Sequence, residues 1–177
     1  MTNNLKFNMF ALHPNLRHYI LSNKDYIKSH MDELDIDGLY NNAEMYNKTY
    51  DVDVTPQLTR LLYNINIDPL DYLTKVPKSF MDSILVEMDL ILPENITAIG
   101  EFAFAGSWVK SISIPTSCEY FDEYIFYDCK KLNYIYYNGT YDEFKKISKE
   151  RKWRADIDSS SPVWVKCVDG RFDIYDI

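Results

Sequence analysis

The sequence predicts an α+β fold in three parts: an N-terminal helical subdomain, a short parallel β solenoid, and a C-terminal cap of helix and strand. Three observations carry this. Apolar residues recur with a period of 22 through the second half of the 177-residue chain, each recurrence opens on an alternating strand pattern stopped by proline, and the first third shows helical spacing instead. The expected boundaries are 1–66, 67–137 and 138–177.

The repeat is visible when residues 90–111 are written above residues 112–133. Leu90 then aligns with Ile112, Leu92 with Ile114, Pro93 with Pro115, Ile96 with Cys118, Ile99 with Phe121, Ala103 with Ile125 and Phe104 with Phe126. One further shift sets Ile112 and Ile114 above Tyr134 and Tyr136, and a weaker copy begins at Leu73 and Val76. The period lies within the range of leucine-rich repeats. Each unit opens on a short alternating strand, and Pro93 or Pro115 then ends it, because proline cannot donate to a ladder. A turn carrying Ile99, Ala103 and Phe104 follows. No single unit can bury its apolar side, so stacked units must share one core with their strands in parallel register.

The run Ile96-Thr-Ala-Ile99-Gly100-Glu-Phe-Ala103-Phe104 resembles the BspA-like class of leucine-rich repeats, common in bacterial and protist proteins and in some viruses. Cys129 falls where that class has a cysteine. The unit around it is degenerate, with Phe121-Asp122 and Ile125-Phe126 in place of Ile-Gly and Ala-Phe. The tail, through Gly139, Glu143 and Trp164-Val-Lys-Cys167, resembles the closing segment of such arrays. The resemblance covers about residues 70–170. It implies a binding scaffold and names no ligand. A composition rich in Asn, Lys, Ile and Tyr fits an AT-rich genome, either a low-GC bacterium or its phage or virus.

Thr140-x-x-Glu143 is a capping-box pattern, and Phe144, Ile147 and Trp153 follow it at helical spacing. Lys145, Lys146, Lys149, Arg151, Lys152 and Arg154 gather toward the expected helix end, where cations suit the dipole. Upstream, Ser22-x-x-Asp25 starts a candidate helix within 15–31. Thr55-Pro56 reads as an N-cap and first turn ahead of Leu58, Leu61, Leu62 and Ile65. The helical subdomain either caps the open end of the stack or carries a binding surface.

Net charge is −8. Residues 67–137 hold five basic and eleven acidic side chains, hence −6, whereas residues 138–177 hold eight of each. This balance argues against direct nucleic-acid binding, which needs many phosphate contacts. It leaves room for an acidic mimic of nucleic acid on a host enzyme. No segment from Met1 reads as a secretory leader and no apolar run suits a membrane span, so a cytoplasmic setting is expected, the host cytoplasm if the source is viral. Cys118, Cys129 and Cys167 have no metal-ligand spacing and read as free thiols. The sequons at Asn47, Asn95 and Asn138 then read as coincidence.

No catalytic constellation and no cofactor motif emerges. His13, His18 and His30 are poorly spaced for zinc, and Ser117-Cys118-Glu119 has no histidine nearby in sequence. Glu33, Asp35, Asp37, Asn41 and Glu44, with Gly38 at the turn, approach a calcium loop, but Glu33 stands where the shorter Asp is needed. The expected partner is a protein. In a strict 22-residue register its site is the outward row Asp89, Ile91, Ser111, Ser113, Asn133, Ile135 and Tyr137, while Leu90, Leu92, Ile112, Ile114, Tyr134 and Tyr136 face inward.

Overall fold

The computed structural model describes residues 24–30, 35–157 and 162–177. The chain divides into two compact units, Met1–Tyr72 and Leu73–Ile177.

The described part of the first unit is helical: α1 (Lys24–Ser29), α2 (Ile36–Tyr50), α3 (Thr55–Asn64) and a 3-10 turn at Pro69–Asp71. α2 starts where the Asp35 carboxylate accepts the Gly38 N–H at 2.9 Å, relieving one of the unpaired donors of a first turn. α3 carries its apolar stripe as expected, with Leu58, Leu61 and Leu62 buried and Ile65 buried just beyond its end. Its cap differs from the expectation. Thr55 is the first helical residue, and Val54 before it offers no side-chain cap. The Asp53 carboxylate accepts the Thr55 N–H at 3.0 Å instead. The Asn47 amide spans this turn, donating to Asp53 at 3.0 Å and accepting from the Val54 N–H at 2.9 Å. One of the three sequons is thus occupied by a structural duty.

The second unit holds two sheets that share successive strands. β1 (Lys75–Val76), β3 (Ala98–Ile99), β5 (Tyr120–Phe121) and β7 (Ser148–Lys149) form one, in that order and all parallel. β2 (Met88–Ile91), β4 (Val109–Ile114), β6 (Tyr134–Tyr137) and β8 (Trp164–Cys167) form the other, also parallel, and β9 (Gly170–Asp173) closes it antiparallel to β8. Each pass of the chain therefore adds one rung to each sheet.

The turns between the sheets form a third ladder. Ser79, Phe102 and Tyr124 donate their N–H groups to the carbonyls of Glu101, Glu123 and Lys152 in the next pass. Ser83, Gly106 and Asp128 do the same toward Ala105, Tyr127 and Asp156. All six donors sit at positive φ, between 51° and 60°, and only one is glycine. Left-handed backbone at a bulky residue such as Phe102 costs about 1 kcal/mol or more. The bonds to the next pass hold it there. Gly100 answers a separate need: a Cβ would lie 2.9 Å from the Val76 carbonyl oxygen and 2.8 Å from the Lys78 nitrogen, both backbone atoms of the preceding pass.

The core lies between the two sheets and their turns. Phe80, Phe104, Phe121, Phe126 and Phe144 are fully buried, as are Ile96, Ile99, Ile112 and Ile114. Phe104 and Phe126 stack with centroids 5.7 Å apart, repeating the contact from one pass to the next. The capping box is formed: Thr140 and Glu143 bond reciprocally and open α4 (Tyr141–Lys146). This helix is shorter than the apolar spacing suggested. Ile147 and Trp153 are buried but lie beyond it. Lys149 reaches back to the Phe144 and Ile147 carbonyls, so the cation does serve the helix end. The segment expected to seal the array contributes β7 and β8, which extend both ladders by a fourth rung.

Within the expected repeat, the strict 22-residue register fails between β4 and β6. Asp89 pairs with Ser111, an offset of 22, but Ser111 pairs with Tyr134, an offset of 23. The Phe104–Phe126 and Ser107–Cys129 contacts still keep 22. The extra residue therefore lies in Lys130-Lys131, ahead of buried Leu132. A slip of one residue exchanges the two faces of a strand. Ile135 and Tyr137, expected outside, are buried at 0% and 5% exposure, while Tyr134 and Tyr136, expected inside, are part-exposed. The register sets an expected contrast. Ile135→Asp places an unpaired charge in the core and should lose about 4 kcal/mol or more in urea unfolding. Tyr136→Asp should lose about 1 kcal/mol or less, and equal losses would overturn the register.

Candidate binding face

One face of the five-stranded sheet covers the core and the other is open. Two cross-strand rows follow from the pairing. Asp89, Ser111, Tyr134, Trp164 and Asp173 make one row; Ile91, Ser113, Tyr136, Lys166 and Arg171 make the other. In β4 the inward partners of Ser111 and Ser113 are Ile112 and Ile114, both fully buried. β8 alternates the same way, with Val165 and Cys167 buried beneath Trp164 and Lys166.

The open face changes character along its length. At the β2 end the Ser111 hydroxyl donates to the Asp89 carboxylate at 2.7 Å, and Ile91 is 74% exposed, an isolated apolar side chain beside polar ones. In the middle, Tyr134 and Tyr136 stack with centroids 5.7 Å apart. At the β9 end Lys166 lies over the Tyr136 ring at 5.8 Å and Arg171 over the Trp164 ring at 4.3 Å. Such contacts hold a long cation over an aromatic face at a gain of about 0.5–1 kcal/mol when exposed.

Of the residues expected on this surface, Asp89, Ile91, Ser111 and Ser113 stand on it. Asn133 sits at its border, where its N–H donates to the Lys110 carbonyl and its own carbonyl accepts from Trp164. Ile135 and Tyr137 lie beneath it, and the Tyr137 ring packs edge-on against Phe144 at 5.3 Å. Burial also raises the Tyr137 phenol above its ordinary pKa. Sequence reasoning missed Tyr134, Tyr136, Trp164, Lys166 and Arg171. The available signal was Leu132: aligned with Val109 as the buried residue two positions ahead, it brings Tyr134 opposite Ser111.

The remaining candidates separate. Asp37, Asn41 and Glu44 project from the surface of α2, with Glu44 bound to Lys48 at 2.7 Å, and Asp35 caps the same helix. A continuous helix cannot fold its own residues around one ion, so the calcium loop is not formed. Glu33 lies outside the described residues, as do His13 and His18. His30 stacks on Tyr26 at 4.1 Å. Among the described residues no cluster of His, Cys, Asp and Glu could hold a metal ion, and no helix is long and apolar enough to cross a membrane.

The three thiols are free and buried. Burial pushes Cys118 up to about 11, Cys129 to about 12 and Cys167 to about 11. Cys129 instead donates to the Phe104 carbonyl at 3.1 Å. A protonated thiol is a poor nucleophile. Because folding favours the protonated form, this stabilisation is full below the ordinary thiol pKa and is lost as pH rises through the raised values. We expect a disulfide-exchange reagent at pH 7.5 to label all three only at the rate of unfolding, and stability to fall above about pH 9. Rapid labelling of the folded chain would contradict the burial.

Comparison with known proteins agrees with this geometry. No curated protein and no solved structure matches the chain. The family model described as BspA type leucine rich repeat region (6 copies) matches residues 62–150, half of the chain. The matched span runs through β1 to β7. The chain belongs to the BspA type leucine-rich repeat family.

Proposed function

We propose that the chain is a non-enzymatic protein-binding module, its repeats winding as a short leucine-rich-repeat solenoid whose open sheet face seats an adaptor's or inhibitor's target, a host protein. One observation carries the reading. Four parallel strands whose inner residues are consumed by the core leave Tyr134, Tyr136 and Trp164 contiguous and part-exposed on the other side. Rigid aromatics bordered by arginine are what protein interfaces concentrate at their centres. They are mounted on strands fixed from both sides, so little conformational freedom is lost on docking. The free thiols support a reducing compartment such as the cytoplasm.

The acidic nucleic-acid mimic draws less support from this face. A mimic needs a continuous row of carboxylates, whereas Ser111, Tyr134 and Trp164 separate Asp89 from Asp173, and Lys166 and Arg171 stand in the neighbouring row.

The test is affinity capture from a lysate of the host. The wild type is compared with Tyr136→Ala and Trp164→Ala, with Lys78→Ala on the turn surface as control. Interface aromatics contribute about 2 kcal/mol or more, so affinity for the captured protein should fall about thirtyfold with either aromatic variant and hold with the control. Equal capture by all four would refute the open face as the site.

A further inference from the structure

We propose that the β8–β9 end of the open face is a carboxylate clamp, in which Lys166 and Arg171 receive an acidic side chain of the partner protein. The inference rests on the docking reading above and specifies what the partner must bring.

The pairing of β8 with β9 sets Lys166 directly opposite Arg171. Directly opposed residues of an antiparallel pair share a face, and like charges so placed repel. Among the described residues neither cation has a carboxylate or hydrogen-bond partner, whereas Lys48, Lys78, Lys130, Lys131 and Lys145 are each paired with one. Both are held instead by ring faces, Lys166 over Tyr136 and Arg171 over Trp164. A guanidinium 4.3 Å above an indole spends none of its N–H groups on a hydrogen bond there, and its N–H fork matches a carboxylate with two parallel bonds. The result is two unneutralised cations on an aromatic floor drawn from β6 and β8. An anion entering between them would relieve the repulsion that the free protein carries.

Charge decides for a single carboxylate over a chain of phosphates. Asp173 stands opposite Trp164 beside the clamp, Asp89 occupies the far end of the same row, and the whole chain is at −8. A polyphosphate backbone crossing this face would meet those charges. One Asp or Glu set among apolar residues would not, and Tyr134 and Ile91 lie further along the face to take its apolar neighbours. The clamp lies outside the span that the family model matches, which stops at residue 150.

The full chain is panned against a random dodecamer peptide library, and the selected peptides are titrated against variants. Selection of peptides with Asp or Glu next to an aromatic or aliphatic residue supports the clamp. So does a loss of about tenfold or more in their affinity on Lys166→Glu with Arg171→Glu, together with selection of Lys or Arg by that variant. Single Lys166→Glu should raise the melting temperature of the free protein, because it turns a repulsive pair into an attractive one, while weakening the same peptides. Peptides without acidic residues that are lost on Trp164→Ala would overturn the clamp and leave the docking face standing. Peptides indifferent to Trp164→Ala and to the charge reversal, or no selected peptide at all, would overturn both. Displacement of the acidic peptides by micromolar oligothymidylate, or an unchanged melting temperature for Lys166→Glu, would overturn the carboxylate assignment alone.

Discussion

Hydrogen bonding from one pass of the chain to the next is the constraint on which this structure depends. The strands of the second unit are two to six residues long, too short to stand alone, and each finds its backbone partners only in the neighbouring rung. The turns obey the same rule. Their left-handed donors would be expensive in isolation, and they persist because the following pass supplies the carbonyl that fixes them. Packing then follows the ladders. Phe104 meets Phe126 because their backbones are already in register, and Gly100 exists because the preceding backbone passes too close for a Cβ.

Much of this was legible in the sequence, for physical reasons that can be named. Pro93 and Pro115 mark strand ends because they lack an N–H. Leu90, Leu92, Ile112 and Ile114 alternate because one side of their strands is core. Thr140 and Glu143 announce a helix start because their side chains satisfy its orphan donors. What failed was extrapolation of a constant period. The residue inserted at Lys130-Lys131 sits in a surface turn, where lysines leave no trace in apolar spacing. Tyr134 and Tyr136 compounded the error, since tyrosine suits either face of a sheet and its alternation with Ile135 and Tyr137 is blind to direction.

The missing half of the open face has a second origin. Trp164 pairs with Tyr134 at an offset of 30 residues, because α4 and its flanks are inserted between the two ladders' third and fourth rungs. A search by fixed period stops before such an insertion. The helix at Tyr141 therefore looked like a lid over the last repeat, while Trp164-Val-Lys-Cys167 is one more rung of the same sheet. The aromatic and cationic part of the surface falls in the stretch where periodicity is weakest. A repeat that must pack against its neighbours on both sides has little freedom, whereas β8 and β9 at the margin can carry side chains chosen for something else.

The extra residue in the third turn also bears on how such a surface can diversify. Adding one amino acid to a return turn leaves both ladders bonded and the interior filled, provided the following strand is apolar enough on either side. Yet it replaces the whole set of groups displayed by that strand, here substituting a pair of phenols for an isoleucine and a phenol. Short length changes in solvent-facing bends thus offer a route to new specificity that point substitution would need several coordinated steps to reach. Chains of this kind should differ from one another in what they show to solvent more through bend length than through replacement of residues on the strands.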